Sequence, residues 1–232
     1  MCACGSLVAQ TTPVGSIPSG FTRIFNGRDL SGWHISRSNH HGTVANFHVE
    51  NSTIVAAQQP LGQGGIVLTN RKYRDFELVL EANPDHDTDG GIFLRSTETG
   101  AGYQVDLTPR GENAPVMTLV GEDLHLGPHT DLAERRPTQG VWKLHDWNGV
   151  RIRIVGEAPR VTLWLNEILI WDVQQARNDL PADATEGMIA LQCHWNAWGA
   201  LDPPTKPGNY VSMLWRPAAV HRYRNIAVKE LK

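Results

Sequence analysis

The chain is poor in several features that mark common protein classes. Only three of its 232 residues are cysteines, and so small and odd a number does not make a disulfide framework. No run of about 18 apolar residues occurs, so the sequence predicts no membrane span. The charges nearly cancel, with 21 Lys and Arg against 24 Asp and Glu, which argues against nucleic acid as a partner. These absences leave a globular protein.

Several catalytic and nucleotide-binding patterns are also missing. The chain has no nucleophile elbow, phosphate loop, HExxH motif or dinucleotide fingerprint, which excludes the commonest serine hydrolase, metalloprotease and nucleotide-binding patterns. Cys2 and Cys4 lie too close together to close a useful loop. Cys193 follows an apolar stretch, which predicts a buried structural thiol.

The first 20 residues differ in composition from the rest of the chain. They are small, polar and uncharged, and they lack the basic and apolar regions of a signal peptide. We interpret residues 1–20 as a flexible leader and residues 21–232 as a single domain. A cysteine close to such a leader is compatible with a lipid anchor of a processed bacterial lipoprotein, and equally with an uninformative tail.

Strand patterns dominate after residue 20. Leu78 and Leu80 alternate with Glu77 and Glu81, and similar alternation occurs in residues 151–154 and 161–165. This period of two predicts a sheet with one packed face and one wet face. With 22 Gly, 14 Pro and very little helical periodicity, the fold class predicted is all-β, an antiparallel β-sandwich or jelly roll.

One acidic segment resembles half of a calcium loop. Asp85, Asp87 and Asp89 alternate before Gly90, as carboxylates do where they converge on a hard cation. Ser96 occupies the place of the closing Glu. The alternative is an ordinary turn between two strands, for which Asp and Gly are common.

Polar residues on several predicted strands form a candidate carbohydrate site. Gln192 and His194 share a strand face and precede Trp195, and aromatic rings with polar neighbours suit sugar recognition. Further polar side chains converge if their strands share one wet sheet face; they are Glu77, Glu81, Arg95, Gln104 and Asp106. His40 and His41 lie in a Gly- and Asn-rich stretch that predicts an exposed loop. The alternative is a solvated face with surface ion pairs.

The chain resembles the 3-keto-disaccharide hydrolase family, whose members are also described as 3-keto-glycoside lyases and hydratases. The resemblance begins at residues 25–33 (FNGRDLSGW) and continues to the C-terminus in the family's order. The other matching segments are residues 73–78 (YRDFEL), 91–95 (GIFLR), 103–105 (YQV), 146–148 (DWN), 161–166 (VTLWLN), 187–192 (GMIALQ) and 224–226 (RNI).

This resemblance implies a concanavalin-like jelly roll that acts on carbohydrate in the bacterial periplasm, envelope or exterior. The family's Gln-x-His corresponds to Gln192 and His194, and its arginine to Arg95. His40 and His41 resemble a pair found in one longer subgroup. Residues 121–136 and 196–216 match no family motif, so the choice of substrate does not carry over.

A 3-keto sugar suggests a catalytic role for each candidate. The ketone acidifies the C2 proton, so the reaction needs a base, a group over the ketone oxygen and an acid for the leaving group. We expect His194 as base or acid and His41 as the partner that protonates the departing group, with the enolate stabilised by Arg95 or by a divalent metal on Glu81 and Asp106. The residues expected to bind substrate are His40, Gln104, Asp106, Gln192 and Trp195.

Two other functional classes fit the same sequence. A non-catalytic carbohydrate-binding module needs the aromatic platform but no proton-transferring base. A structural or adhesion sandwich needs neither.

Overall fold

The computed structural model describes residues 17–43, 45–109, 112–124, 136–195 and 215–232. Most of the predicted leader, with Cys2 and Cys4, lies outside these ranges. The described residues form fourteen strands, which are β1 (Thr22–Arg23), β2 (Trp33–Ile35), β3 (Asn46–Glu50), β4 (Thr53–Ala57), β5 (Gly65–Tyr73), β6 (Phe76–Ala82), β7 (Gly91–Ser96), β8 (Gly102–Asp106), β9 (Leu119–Glu122), β10 (Asn148–Val155), β11 (Arg160–Leu165), β12 (Ile168–Gln174), β13 (Gly187–Cys193) and β14 (Val220–Glu230).

The strands form two antiparallel sheets. The eight-stranded sheet has the order β12-β11-β10-β6-β14-β4-β3, with β1 paired to β14, and the six-stranded sheet has the order β2-β5-β13-β7-β8-β9. One short 3₁₀ turn, Pro181–Asp183, is the only helical element among the described residues. Within the same ranges, no helix has the length and apolarity needed to cross a membrane. The all-β prediction with very little helix is confirmed.

The main core lies between the sheets and follows the period of two. Leu78 and Leu80 of β6 face Ile189 and Leu191 of β13 in one cluster of buried side chains. Burying each such side chain stabilises the fold by about 1.5–3 kcal/mol. Cys193 belongs to this cluster and is a free, buried thiol, as predicted, and burial raises its pKa well above the ordinary value.

A second apolar cluster lies on the outer face of the six-stranded sheet. Its members are Ile66, Leu68, Phe93, Met188 and Ala190, which alternate with core residues such as Val67 and Leu191. Both faces of β5 and β13 are therefore buried, which explains their near-continuous apolar sequences.

The segment that carries His41 covers this second cluster. A Cβ on Gly100 would lie 3.5 Å from both the Asn39 and Ile66 side chains and 3.6 Å from the His41 ring. The loop between β2 and β3 therefore packs down onto the sheet instead of extending into solvent.

Candidate functional site

Three histidines meet on the outer face of the six-stranded sheet. The centroid of the His41 ring lies 3.8 Å from that of His40 and 5.4 Å from that of His194. His194 directly follows β13 and stacks on Trp195, with ring centroids 5.6 Å apart. Trp195 is 36% exposed, so the cluster has an aromatic surface open to solvent beside it.

Gly64 allows the two histidine-bearing segments to approach each other. A Cβ on this residue would lie 2.6 Å from the Trp195 amide nitrogen and would collide with the His41 carbonyl oxygen. Only glycine has the room that this approach requires. The close packing of the loop that carries His41 against the end of β13 therefore depends on this position.

The buried side-chain amides of Gln104 and Gln192 connect the six-stranded sheet to the His41 ring. Gln104 Nε2 on β8 donates a 2.6 Å hydrogen bond to Gln192 Oε1 on β13, and Gln192 Nε2 lies 3.0 Å from His41 Nδ1. The Gln104 side chain crosses Gly91, where any Cβ would collide with its amide nitrogen. Since all three polar side chains are buried, this chain of contacts fixes the orientation of the imidazole.

Carboxylates approach the histidines from both sides. Glu122 Oε2 lies 3.4 Å from His40 Nε2 and 3.7 Å from His41 Nε2. Asp89 Oδ2 lies 3.7 Å from His194 Nδ1. The Thr108 hydroxyl is 3.0 Å from Asp89 Oδ1 and also donates to Asp106 Oδ1, which brings Asp106 into the same group.

Burial changes the ionisation of two members of this cluster. Desolvation, with smaller effects of His40 and His194, lowers the pKa of His41 to about 3. Desolvation also raises the pKa of Glu122, although His40 and His194 act in the opposite direction. Burial therefore disfavours the protonated form of His41, which the expected role as leaving-group acid requires. The expectation that it is exposed like His40 is wrong.

Glu122 was not a candidate in the sequence because no motif surrounds it. It ends β9, and its backbone pairs with Gly102 of β8, which places its side chain beside the histidines. The alternation of β9 is short and ambiguous, so only the pairing with β8 shows which face Glu122 occupies.

Arg95 lies outside this site and has a structural role. Its guanidinium donates to the Arg74 carbonyl at 2.6 Å, the Gly156 carbonyl at 2.9 Å and Asp75 Oδ1 at 2.8 Å. Arg95 has a φ of 53° and lies where the register between β7 and β13 shifts. This bulge interrupts the alternation and turns the side chain towards the turns that follow β5 and β10. The sequence expectation of an enolate-stabilising arginine is therefore wrong for Arg95.

Glu81 belongs to the other sheet. It lies on β6 and accepts hydrogen bonds from Arg224 Nε and, at 2.9 Å, from Asn225 Nδ2. Asp106 lies on β8 of the six-stranded sheet, so the metal site expected from Glu81 and Asp106 does not form. The two residues have similar strand patterns, but the patterns alone do not show that their sheets differ.

The acidic segment before Gly90 is a turn and not a calcium loop. Asp85 accepts hydrogen bonds from the Val220 amide and from Arg222. Asp87 contacts His86 at 3.1 Å, whereas Asp89 faces Thr108. The three carboxylates have separate partners and do not converge, so the turn interpretation is the correct one.

The structure thus separates the sequence candidates into two groups. Those that it brings together on the six-stranded sheet are His40, His41, Gln104, Asp106, Gln192, His194 and Trp195. Arg95 and Glu81 lie elsewhere. Among the described residues, the one group of three side chains suited to hold a metal ion is His40, His41 and Glu122, whose ligand atoms all lie within 4.8 Å of one another.

Solved structures similar to this chain are carbohydrate-active proteins with the same fold. A protein of Parabacteroides distasonis ATCC 8503 assigned as a glycosyl hydrolase is 16% identical, with a TM-score of 0.58 over 92% of this chain and 94% of that one. The β-glucanase of Bacillus licheniformis is 9% identical, with a TM-score of 0.52 over 95% and 96% of the two chains. At such low identity these likenesses show the fold alone, which is the predicted jelly roll.

No curated protein matches the sequence. The model of one protein family does match, over residues 20–229, which include both sheets and every residue of the histidine cluster. The chain therefore belongs to the carbohydrate-active family of the 3-keto-alpha-glucoside-1,2-lyase-like domain.

Proposed function

We propose that this protein cleaves or hydrates 3-keto-glycosides, with His194 as the group that transfers the proton. The observation that carries the proposal is the position of His194 between the Asp89 carboxylate, 3.7 Å from its Nδ1, and the stacked, exposed ring of Trp195. A proton carrier is thereby placed beside a surface that suits a sugar ring. Family membership supports the choice of a 3-keto substrate.

The proposed reaction depends on the acidity that the ketone gives to carbon 2. A base takes the C2 proton, and the electron pair forms an enolate with the ketone at carbon 3. Collapse of the enolate forms the C1–C2 double bond and breaks the C1–O bond. The departing oxygen takes up the proton that the base removed from carbon 2, so the products are an alcohol and an enone. Addition of water across the enone gives the free 3-keto sugar.

The cluster offers a proton carrier for this reaction and an aromatic surface for the sugar ring. His194 takes the C2 proton, and the Asp89 carboxylate stabilises the imidazolium that forms. The indole of Trp195 packs against the apolar C–H face of the sugar. Gln104 and Gln192 hold His41, whose ring lies 5.4 Å from that of His194.

A non-catalytic carbohydrate-binding module is the second candidate, and the exposed Trp195 favours it equally. A module binds sugar through the same indole but has no use for a base. The two functions therefore differ in their dependence on His194 and agree in their dependence on Trp195.

The test uses the purified protein and a 3-keto-glucoside, with product followed by the absorbance of the enone. We expect His194→Ala to reduce turnover at least 100-fold, since general acid–base groups contribute about 100- to 10,000-fold, while Tm changes by only a few degrees. Trp195→Ala should mainly raise KM. The matched control is His48→Ala, because His48 is a half-exposed histidine on β3 of the other sheet.

Each outcome distinguishes the candidates. Turnover in the wild type that His194→Ala abolishes supports the enzyme. Glycan binding that Trp195→Ala weakens, without any enone in the wild type, favours the binding module. Full turnover by His194→Ala would remove His194 from the mechanism.

A further inference from the structure

The spacing of three side chains in the histidine cluster matches the coordination shell of a metal ion. Glu122 Oε2 lies 3.4 Å from His40 Nε2 and 3.7 Å from His41 Nε2, and the ligand atoms of the group all lie within 4.8 Å. Ligands bound to zinc at about 2.1 Å in tetrahedral geometry are separated by about 3.4 Å. Shifts smaller than an atomic radius would therefore bring the three atoms to the separations found around one shared ion.

Outer partners orient two of these ligands in the way that metal sites require. His40 Nδ1 lies 3.4 Å from Asp123 Oδ2 while its Nε2 faces Glu122. Metal-binding histidines commonly donate their other N–H to a carboxylate, which fixes the tautomer and the ring. Asp123 directly follows β9 and has a φ of 53°, a left-handed conformation that Asp tolerates better than most residues.

His41 has a comparable partner in Gln192. The Gln192 amide lies 3.0 Å from His41 Nδ1 and 3.2 Å from His41 Nε2, and Gln104 lies behind it. Reversing both amides keeps the bond between the glutamines and gives the Nδ1–H of His41 an oxygen acceptor. His41 Nε2 lies 3.7 Å from Glu122 Oε2.

Hydrogen bonds hold the backbone around the cluster in place. The His41 amide donates a 2.9 Å hydrogen bond to Asn39 Oδ1, and Asn39 Nδ2 donates to the Gly42 carbonyl at 2.9 Å. Glu122 is held on its strand by β8. Ordering the ligands thus costs little additional conformational entropy on binding.

We propose that His40, His41 and Glu122 bind one divalent transition-metal ion, of the class of zinc or cobalt. Two imidazole nitrogens and one carboxylate oxygen suit such ions, whereas calcium and magnesium prefer shells made of oxygen. Three protein ligands leave a coordination position for water or substrate, as catalytic zinc sites do.

The position of the ion gives it a role in the reaction. The His194 ring lies 5.4 Å from that of His41, so an ion bound by His41 would lie beside the proton carrier. As a Lewis acid, the ion accepts the charge of the enolate oxygen, the task for which the sequence suggested Arg95. This role rests on the proposed function, whereas binding of the metal does not.

Binding is tested on the full chain without substrate. The protein is dialysed against a chelator and titrated with Zn²⁺, Co²⁺ and Ca²⁺ by calorimetry, and Co²⁺ is also followed by its visible absorption. We expect one equivalent of Zn²⁺ or Co²⁺ and no comparable binding of Ca²⁺. Glu122→Gln and His40→Ala should each weaken the affinity at least tenfold, whereas the control His48→Ala should not change it.

Two results would overturn the metal site. One is the absence of stoichiometric Zn²⁺ or Co²⁺ binding by the wild type, and the other is unchanged affinity in both Glu122→Gln and His40→Ala. Because the first substitution is isosteric and the second affects an exposed side chain, Tm measurements without metal should show that both variants fold.

Turnover measured with and without Zn²⁺ separates this inference from the proposed function. Turnover that depends on His194 in a protein that binds no metal would overturn the inference and leave the function. Stoichiometric metal binding in a protein without turnover would support the metal site and overturn the proposed function.

Discussion

On the outer face of the eight-stranded sheet, arginines neutralise the carboxylates. Glu77 contacts Arg151 at 2.6 Å, Asp172 contacts Arg160 at 2.6 Å, and Glu81 is bonded to Arg224. Two of these arginines also lie over indole rings, with Arg151 4.8 Å from the centre of Trp164 and Arg224 4.0 Å from that of Trp147. This face uses its charges to hold side chains in place.

On the outer face of the six-stranded sheet, the corresponding carboxylates face imidazoles. Glu122 lies against His40 and His41, and Asp89 lies against His194. An arginine stays charged at every accessible pH, whereas an imidazole can exchange a proton or bind a metal. The difference teaches that the partner of a carboxylate, more than its place on a strand, distinguishes a chemical site from a structural one.

The largest effect is expected where an arginine and a carboxylate are most buried. Arg95→Met removes the charged partner of Asp75 and the donor to the Arg74 and Gly156 carbonyls, and breaking a buried pair costs about 3–5 kcal/mol. Urea unfolding should show a loss of this order. Turnover per folded molecule should remain, and a stable variant with low turnover would instead place Arg95 in the site.

Lowering the pH should destabilise the protein through its buried histidines, whereas its arginines keep their charge. Burial lowers the pKa of His221, which bonds Thr88 and Tyr223, to about 3. The unfolded chain takes up a proton at this histidine below about pH 6.5, whereas the folded chain does so only near pH 3. The stability that depends on this group is therefore complete above pH 6.5 and is lost as the pH falls. From pH 7 to pH 5 the loss is about 2 kcal/mol.

Urea midpoints at the two pH values measure this loss. In His221→Gln, the difference between pH 7 and pH 5 should be smaller than in the wild type by a comparable amount. An unchanged difference would assign the acid sensitivity to other groups, such as His41.

A matched pair of substitutions compares the two faces directly. Asp89→Asn keeps the size of the side chain but removes the charge facing His194, so turnover should fall about 10- to 100-fold, as when an outer partner of a catalytic group is lost. Equal turnover in Asp89→Asn and the wild type would show that the carboxylate is not needed.

Glu81→Gln should have the smallest effect. The residue lies on the opposite sheet in a partly exposed pair with Arg224, and such pairs contribute about 1 kcal/mol or less. Turnover should stay within twofold and Tm within a few degrees. A loss of turnover comparable to that of Asp89→Asn would restore Glu81 as a site residue.

The parts of the site that could be predicted were those where alternation is regular. Alternation predicts that Gln192 and Gln104 meet if their strands share one wet face, and they are hydrogen-bonded at 2.6 Å. The same rule predicts that Arg95 lies on this face, and that prediction is wrong because a bulge at the end of β7 breaks the period. Glu122 had no motif to mark it, and its relevance depends on a pairing between β8 and β9.

The sequence by itself determined the all-β class and the core side chains of strands such as β6 and β10, because burial of one face imposes a period of two on them. Only the tertiary structure decided which sheet each strand joins, and therefore that Glu81 and Asp106 are on opposite sheets while His40, His41 and Glu122 meet. Alternation is a local property of a strand, whereas strand order is set by contacts between distant segments.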